Sequence, residues 1–128
     1  MTTKTSDNPK IKTLKELAAV LAKARRAGKK VAMCHGVFDL MHPGHVVHFR
    51  EARAMADILV VTITPDRLVN KGPGRPIFKQ QLRLDTLAAV QFIDHVALNE
   101  WPTAVETIKL LKPDFYVKGS DYSDASTD

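Results

Sequence analysis

Hydrophobic and polar positions follow two alternating rhythms along this chain. From Thr13 onward, Leu14, Leu17, Ala18 and Leu21 recur at helical spacing, which predicts an amphipathic helix. Thr13 and Glu16 have capping-box spacing at its start, and Gly28 stands where a C-terminal cap belongs. Lys30-Val31-Ala32-Met33-Cys34 is then a short apolar run of buried-strand type. Helical spacing returns over Gly44–Met55, where Val46, Val47, Phe49 and Ala52 are expected to face inward. Ile58-Leu59-Val60-Val61-Thr62-Ile63 is the clearest strand, β-branched and apolar on both faces, which predicts a central place in a parallel sheet. After a loop rich in Pro, Gly and charge (64–76), Phe78–Val90 reads as a helix with Leu82, Leu84, Leu87 and Val90 as its apolar set. Asp94–Leu98 reads as a third strand, Pro102–Leu111 as a helix opened by proline in its first turn, and Phe115–Val117 as a fourth strand.

Strands alternating with helices predict βαβ units, hence an α/β fold with a doubly wound parallel sheet. No internal repeat or domain boundary interrupts the pattern. Residues 1–12 are expected to form a flexible leader, 13–122 one domain and 123–128 a polar tail. In such a sheet, ligands sit beyond the carboxyl ends of the strands. Three segments therefore become candidates before any motif is considered: Cys34–His45, Thr64–Pro76 and Lys118–Tyr122.

Composition narrows the class. With 128 residues, 45% of them hydrophobic, the chain is long enough for a core without staples. A single cysteine, Cys34, cannot form an internal disulfide, which points to a reducing, cytoplasmic setting. No apolar run approaches a membrane span, and the first residues lack the apolar stretch of a signal peptide. The net charge of +5 favours anionic partners such as phosphorylated small molecules or nucleic acid. Aromatic residues are only 6% and do not interleave with basic ones, so a base-stacking platform is not indicated. The cluster Lys23, Arg25, Arg26, Lys29 and Lys30 suits either a helix C-terminus or a polyanion site.

The candidate chemistry lies between the first strand and the second helix, in Gly36-Val37-Phe38-Asp39-Leu40-Met41-His42-Pro43-Gly44-His45. Gly36 lets the backbone leave the strand at unusual angles or approach a ligand closely. If the helix starts near Pro43, His42 and His45 converge on its N-terminus, where free N–H groups and the helix dipole favour anions. Two imidazoles there would donate to polyphosphate oxygens and stabilise charge that develops in phosphoryl or nucleotidyl transfer. A zinc reading also exists, because His42, His45 and His48 recur every third residue with Cys34 and His35 nearby. A helix drifts off one face over six residues, so His35 and His48 are read as bystanders and the buried Cys34 as inert. The sequence lacks a P-loop, a dinucleotide fingerprint and a GxSxG elbow.

The run from Gly36 to Asp39 followed by His42-Pro43-Gly44-His45 resembles the GxFDxxHxGH signature of the cytidylyltransferase-like nucleotidyltransferases. Lys71-Gly72-Pro73-Gly74-Arg75-Pro76-Ile77 is similar to that family's basic loop, and Gln81 and Arg83 to the pair that opens the following helix. Val117-Lys118-Gly119-Ser120-Asp121-Tyr122 is similar to the VKGGDY stretch of ADP-heptose synthase nucleotidyltransferase domains. The resemblance implies a Rossmann-like three-layer α/β/α fold. It also implies transfer of a nucleoside monophosphate from CTP or ATP to a phosphorylated sugar or alcohol, a sugar 1-phosphate being favoured, with release of pyrophosphate. By the same resemblance His42, His45 and Lys71 would be catalytic, and Gly36, Val37, Phe38, Asp39 and Gly44 would bind the nucleotide. Arg75, Arg83, Lys118, Gly119 and Asp121 would contact or support the substrates. Mg²⁺ would be shared between phosphates, with Asp39 as the protein's one contribution.

The family pattern continues past VKGxDY into a Ser/Thr-rich turn and a further helix, where this sequence has Ser123–Asp128. The expectation is therefore a longer or fused polypeptide, carrying for example a sugar kinase, with room for a homodimer. Neither a nucleic acid nor a membrane is expected as partner. A non-catalytic nucleotide-binding or assembly module of the same fold stays open as the alternative.

Overall fold

The computed structural model describes residues 8–69 and 72–118. Its centre is a five-stranded parallel sheet in the order β1-β4-β3-β2-β5. The strands are β1 (Ile11–Lys12), β2 (Val31–Gly36), β3 (Ile58–Ile63), β4 (His95–Leu98) and β5 (Phe115–Tyr116). The helices are α1 (Leu14–Arg26), α2 (Pro43–Ala54), α3 (Gln80–Ala88) and α4 (Val105–Leu111). β3 lies in the middle, as its doubly apolar sequence predicts.

Side-chain alternation along β2 shows why there are three layers. Val31 and Met33 join Leu14, Leu17 and Leu21 of α1 and Leu111 of α4 in one cluster. Ala32 and Cys34 join Phe49 and Ala52 of α2 and Leu84 and Leu87 of α3 in the other. The α1 capping box forms as its spacing predicts: the Glu16 N–H donates to Thr13 Oγ1 at 3.1 Å, and the Thr13 N–H to Glu16 Oε1 at 2.9 Å. Gly28 follows at φ +83°, a conformation that favours glycine. Arg25 Nη1 donates 2.9 Å to Leu111 O at the end of α4, so part of the basic cluster caps a neighbouring helix.

Several expectations need correction. Strand β1 pairs with β4 (Ile11 opposite Val96, Lys12 opposite Ala97), so these residues belong to the sheet and not to a leader. Val47 and Leu82, expected inside, are exposed. Each sits two residues, about 200°, from the buried positions on its helix: His45 and Phe49 on α2, Leu84 on α3. α3 starts at Gln80 and not Phe78: Lys79 is extended at φ −65°, ψ 159° as the N-cap, and the Ile77 and Phe78 N–H groups before it bind Asp39. α4 starts at Val105 and not Pro102, because the Asn99 amide donates to Trp101 O and Thr103 O and folds the intervening residues into turns.

β2 has β3 on one side and β5 on the other. The chain leaves β2 toward β3 through α2, and returns from β4 through α4 to β5. The order therefore reverses at β2. The crevice beside its carboxyl end is where an open α/β sheet takes its ligand.

Candidate functional site

The loop from β2 to α2 occupies that crevice. His42 is the N-cap of α2, with Pro43 at the first helical position. Its Nδ1 accepts the Gly44 N–H at 3.0 Å, and His45 Nδ1 accepts the His42 N–H at 3.0 Å. An imidazole nitrogen that accepts carries no proton, so in this arrangement each ring carries its proton on Nε2. The ring centroids are 4.0 Å apart. His45 is buried, and burial followed by the His42 and His48 charges lowers its pKa to about 4. The two imidazoles thus meet at the helix N-terminus, as the three-residue spacing predicts, and their donor atoms in this arrangement are the Nε2–H groups.

Gly44 is required by this packing. A Cβ there would lie 2.7 Å from His42 Cε1. Gly36 has a similar role, since its Cβ would meet the Phe38 ring at 3.0 Å. Phe38 adopts φ +51°, unusual for a residue with a side chain. Its ring meets His45 edge-on at 5.2 Å and Phe49 at 5.3 Å, so the turn and the histidine pair share one packed support.

Asp39 is placed differently from a phosphate- or metal-facing residue. Its carboxylate accepts from the Ile77 N–H at 2.6 Å, the Phe78 N–H at 2.8 Å and Arg75 Nε at 3.1 Å, and Arg75 Nη2 also reaches its main-chain oxygen. Burial alone would raise the carboxyl, but the Phe78 and Ile77 N–H groups and the Arg75 and Arg83 charges outweigh it and hold the pKa below the ordinary value. With its side chain 0% exposed and both oxygens taken by protein donors, Asp39 does not fit a Mg²⁺ ligand. Among the described residues no three His, Cys, Asp or Glu side chains are grouped to hold a metal ion.

Arg83 is the largest fully buried side chain. Its Nε donates to Phe78 O at 3.0 Å, Nη1 to Val37 O at 2.9 Å and Thr64 O at 2.8 Å, and Nη2 to Asp66 Oδ1 at 2.7 Å. It therefore lies beneath the site and not on a substrate's path. Lys118 stands exposed two residues past the end of β5, the strand adjacent to β2. Lys71, Gly119 and Asp121 lie outside the described residues. Among the bystanders, His35 Nδ1 is 2.8 Å from Thr62 Oγ1, and the Cys34 thiol, pushed up to about 12 by burial, lies 3.6 Å from His48 Nε2.

Three polar residues of this region escape the sequence reading. Asp66 balances Arg83, Gln80 Oε1 accepts the Asp66 N–H at 2.9 Å, and buried Asn99 holds the loop after β4. Their only shared signal is position, since each lies at or near the carboxyl edge of the sheet.

Known proteins resemble this chain in sequence and in fold. The model of the family described as cytidylyltransferase-like matches residues 33–127. The chain is 40% identical over 121 residues to the bifunctional protein HldE of Aliarcobacter butzleri, covering 93% of this chain and 25% of that protein. It is 44% identical over 122 residues to its counterpart in Citrifermentans bemidjiense, covering 94% and 25%. The chain thus spans about a quarter of the length of these relatives. A crystal structure of a lipopolysaccharide core biosynthesis protein from Thermoplasma volcanium superposes with a TM-score of 0.68 at 29% identity, over 77% of this chain and 82% of that one.

Proposed function

The chain belongs to the cytidylyltransferase-like family, and on that premise we propose that it transfers the nucleoside monophosphate of ATP, or of CTP, to a phosphorylated sugar with release of pyrophosphate. The observation that carries this reading is the pair of Nε2–H donors at the N-terminus of α2, fixed by Nδ1 hydrogen bonds. The acceptor's phosphate oxygen would attack the α-phosphorus in line, and pyrophosphate would leave on the opposite side. No protein nucleophile is needed. His42, His45 and the helix N-terminus would neutralise charge that builds on the phosphate oxygens, and Lys71 and Lys118 would approach from the flanking loops. Identity to two bifunctional HldE proteins and the VKGxDY stretch favour ATP as donor and a sugar 1-phosphate as acceptor. The described residues do not fit a protein-held Mg²⁺, so no step is assigned to one.

The test is pyrophosphate release by this chain from ATP or CTP with a panel of sugar 1-phosphates, next to His45→Ala. Release with one nucleotide, lost in the variant, is the expected result. Nucleotide-dependent thermal stabilisation without release would leave a binding module in place of an enzyme.

A further inference from the structure

We infer that Arg83 is a positioning residue for the phosphate-binding turn, acting through peptide groups and not on substrate. This deepens the nucleotidyltransferase reading and rests on it. Four of the five guanidinium N–H groups have partners: three main-chain carbonyls and one carboxylate. The carbonyls come from three separate segments: Val37 after β2, Thr64 after β3 and Phe78 before α3. Asp66 supplies the counter-charge, and α3 holds it a second time through Gln80.

The contact with Val37 O carries the consequence. The 37–38 peptide is trans, so the Phe38 N–H points away from the carbonyl that Arg83 holds. That N–H donates to no acceptor among the described residues. Fixing the carbonyl on the buried side therefore turns a backbone donor toward the side on which an anion would bind. Phe38 holds this orientation at φ +51°, where a residue with a Cβ stays only when its surroundings compel it. Its ring also supports His45. Arg83 thus sets one donor directly and the histidine pair at one remove. A lysine at this position could supply at most three donors from a single point and could not span the three carbonyls.

Inorganic triphosphate, the part common to ATP and CTP, is the probe, titrated by calorimetry and followed at the Phe38 amide by ¹⁵N NMR. Wild type should bind it with a shift of that amide. Arg83→Lys, checked for a cooperative melt, should bind at least tenfold more weakly with the shift lost. Asp66→Asn, which keeps a hydrogen-bond acceptor without the charge, should bind about threefold more weakly and decides the matter if Arg83→Lys does not fold. Leu17→Ala, destabilised on the far face of the sheet, should bind as wild type does, which a merely structural role for Arg83 would not separate from Arg83→Lys. A folded Arg83→Lys or Asp66→Asn that binds normally, with Phe38 shifting as in wild type, overturns this inference alone. Wild type that binds no triphosphate overturns the nucleotidyltransferase reading together with it.

Discussion

His45 is buried against His42, and its pKa is lowered from the ordinary 6.5 to about 4 by burial and by the His42 and His48 charges. The unfolded chain therefore binds more protons than the folded one between about pH 4 and 6.5, and stability rises with pH across that window. The contribution is fully present above pH 6.5, is lost as pH falls toward 4, and is worth at most ~3 kcal/mol. His95, lowered chiefly by burial, acts in the same direction. The informative quantity is thus the difference between wild type and His45→Gln in urea unfolding at pH 7 and pH 4.5. The variant should lose less stability on acidification. A second residue-scale prediction concerns Gly44→Ala. The added methyl displaces the exposed His42 ring, while alanine inside a helix gains about 1 kcal/mol over glycine. Overall stability should stay within about 1 kcal/mol of wild type, whereas the thermal shift produced by ATP should largely disappear. The histidine pair is legible in the sequence because three-residue spacing at a helix start dictates convergence. Arg83 and Asp39 are not, since nothing local distinguishes an arginine bound to carbonyls of three separate segments from one in a surface ion pair.

At the scale of elements, the loop before α3 is shaped by a contact across 38 residues. The Ile77 N–H reaches Asp39 Oδ2, and Arg75 closes over the same carboxylate. Asp39→Ala would leave two partly buried N–H groups and a half-buried guanidinium without their acceptor, at a cost of about 2–3 kcal/mol. Chemical denaturation measures it, and a loss under 1 kcal/mol would mean that the 75–78 segment is held by other means. Asn99 does the same for the loop after β4, donating to two carbonyls and accepting from Thr107 Oγ1. Asn99→Leu should cost about 2–3 kcal/mol, with far-UV helix signal retained below the melting transition. These hydrogen bonds, long-range at Asp39 and local at Asn99, accompany the helix boundaries that departed from periodicity. Pattern located the four long apolar segments, but α3 and α4 begin where side chains elsewhere release the backbone. Strand β1 escaped for a related reason. Two residues show no alternation, and what makes them a strand is pairing with β4, more than eighty positions away.

For the molecule as a whole, the alternation of strands and helices was enough to predict a parallel sheet with helices on both faces. The net charge of +5 was not enough to name the ligand. The structure shows how several of those positive charges are used. Arg25 caps α4, Arg53 pairs with Asp94 at 3.0 Å, Arg75 with Asp39, Arg83 with Asp66, and Arg67 donates to Glu100 O. Five guanidinium groups are thus engaged by protein acceptors, each at a different place in the fold. Nucleic acid requires an array of charges along one surface, because its affinity comes from many phosphate contacts and falls steeply with salt. A triphosphate instead requires a few converging donors in one place, which the N-terminus of α2 and its two imidazoles offer. Fluorescence anisotropy with a 20-base-pair duplex at 150 mM KCl should therefore give a dissociation constant no tighter than ~100 µM, the weak end of non-specific binding. Stabilisation by ATP should persist at the same ionic strength. Micromolar duplex binding with a steep salt slope would reverse the assignment, since the charge would then be acting as a surface field and the histidine turn would be incidental to it.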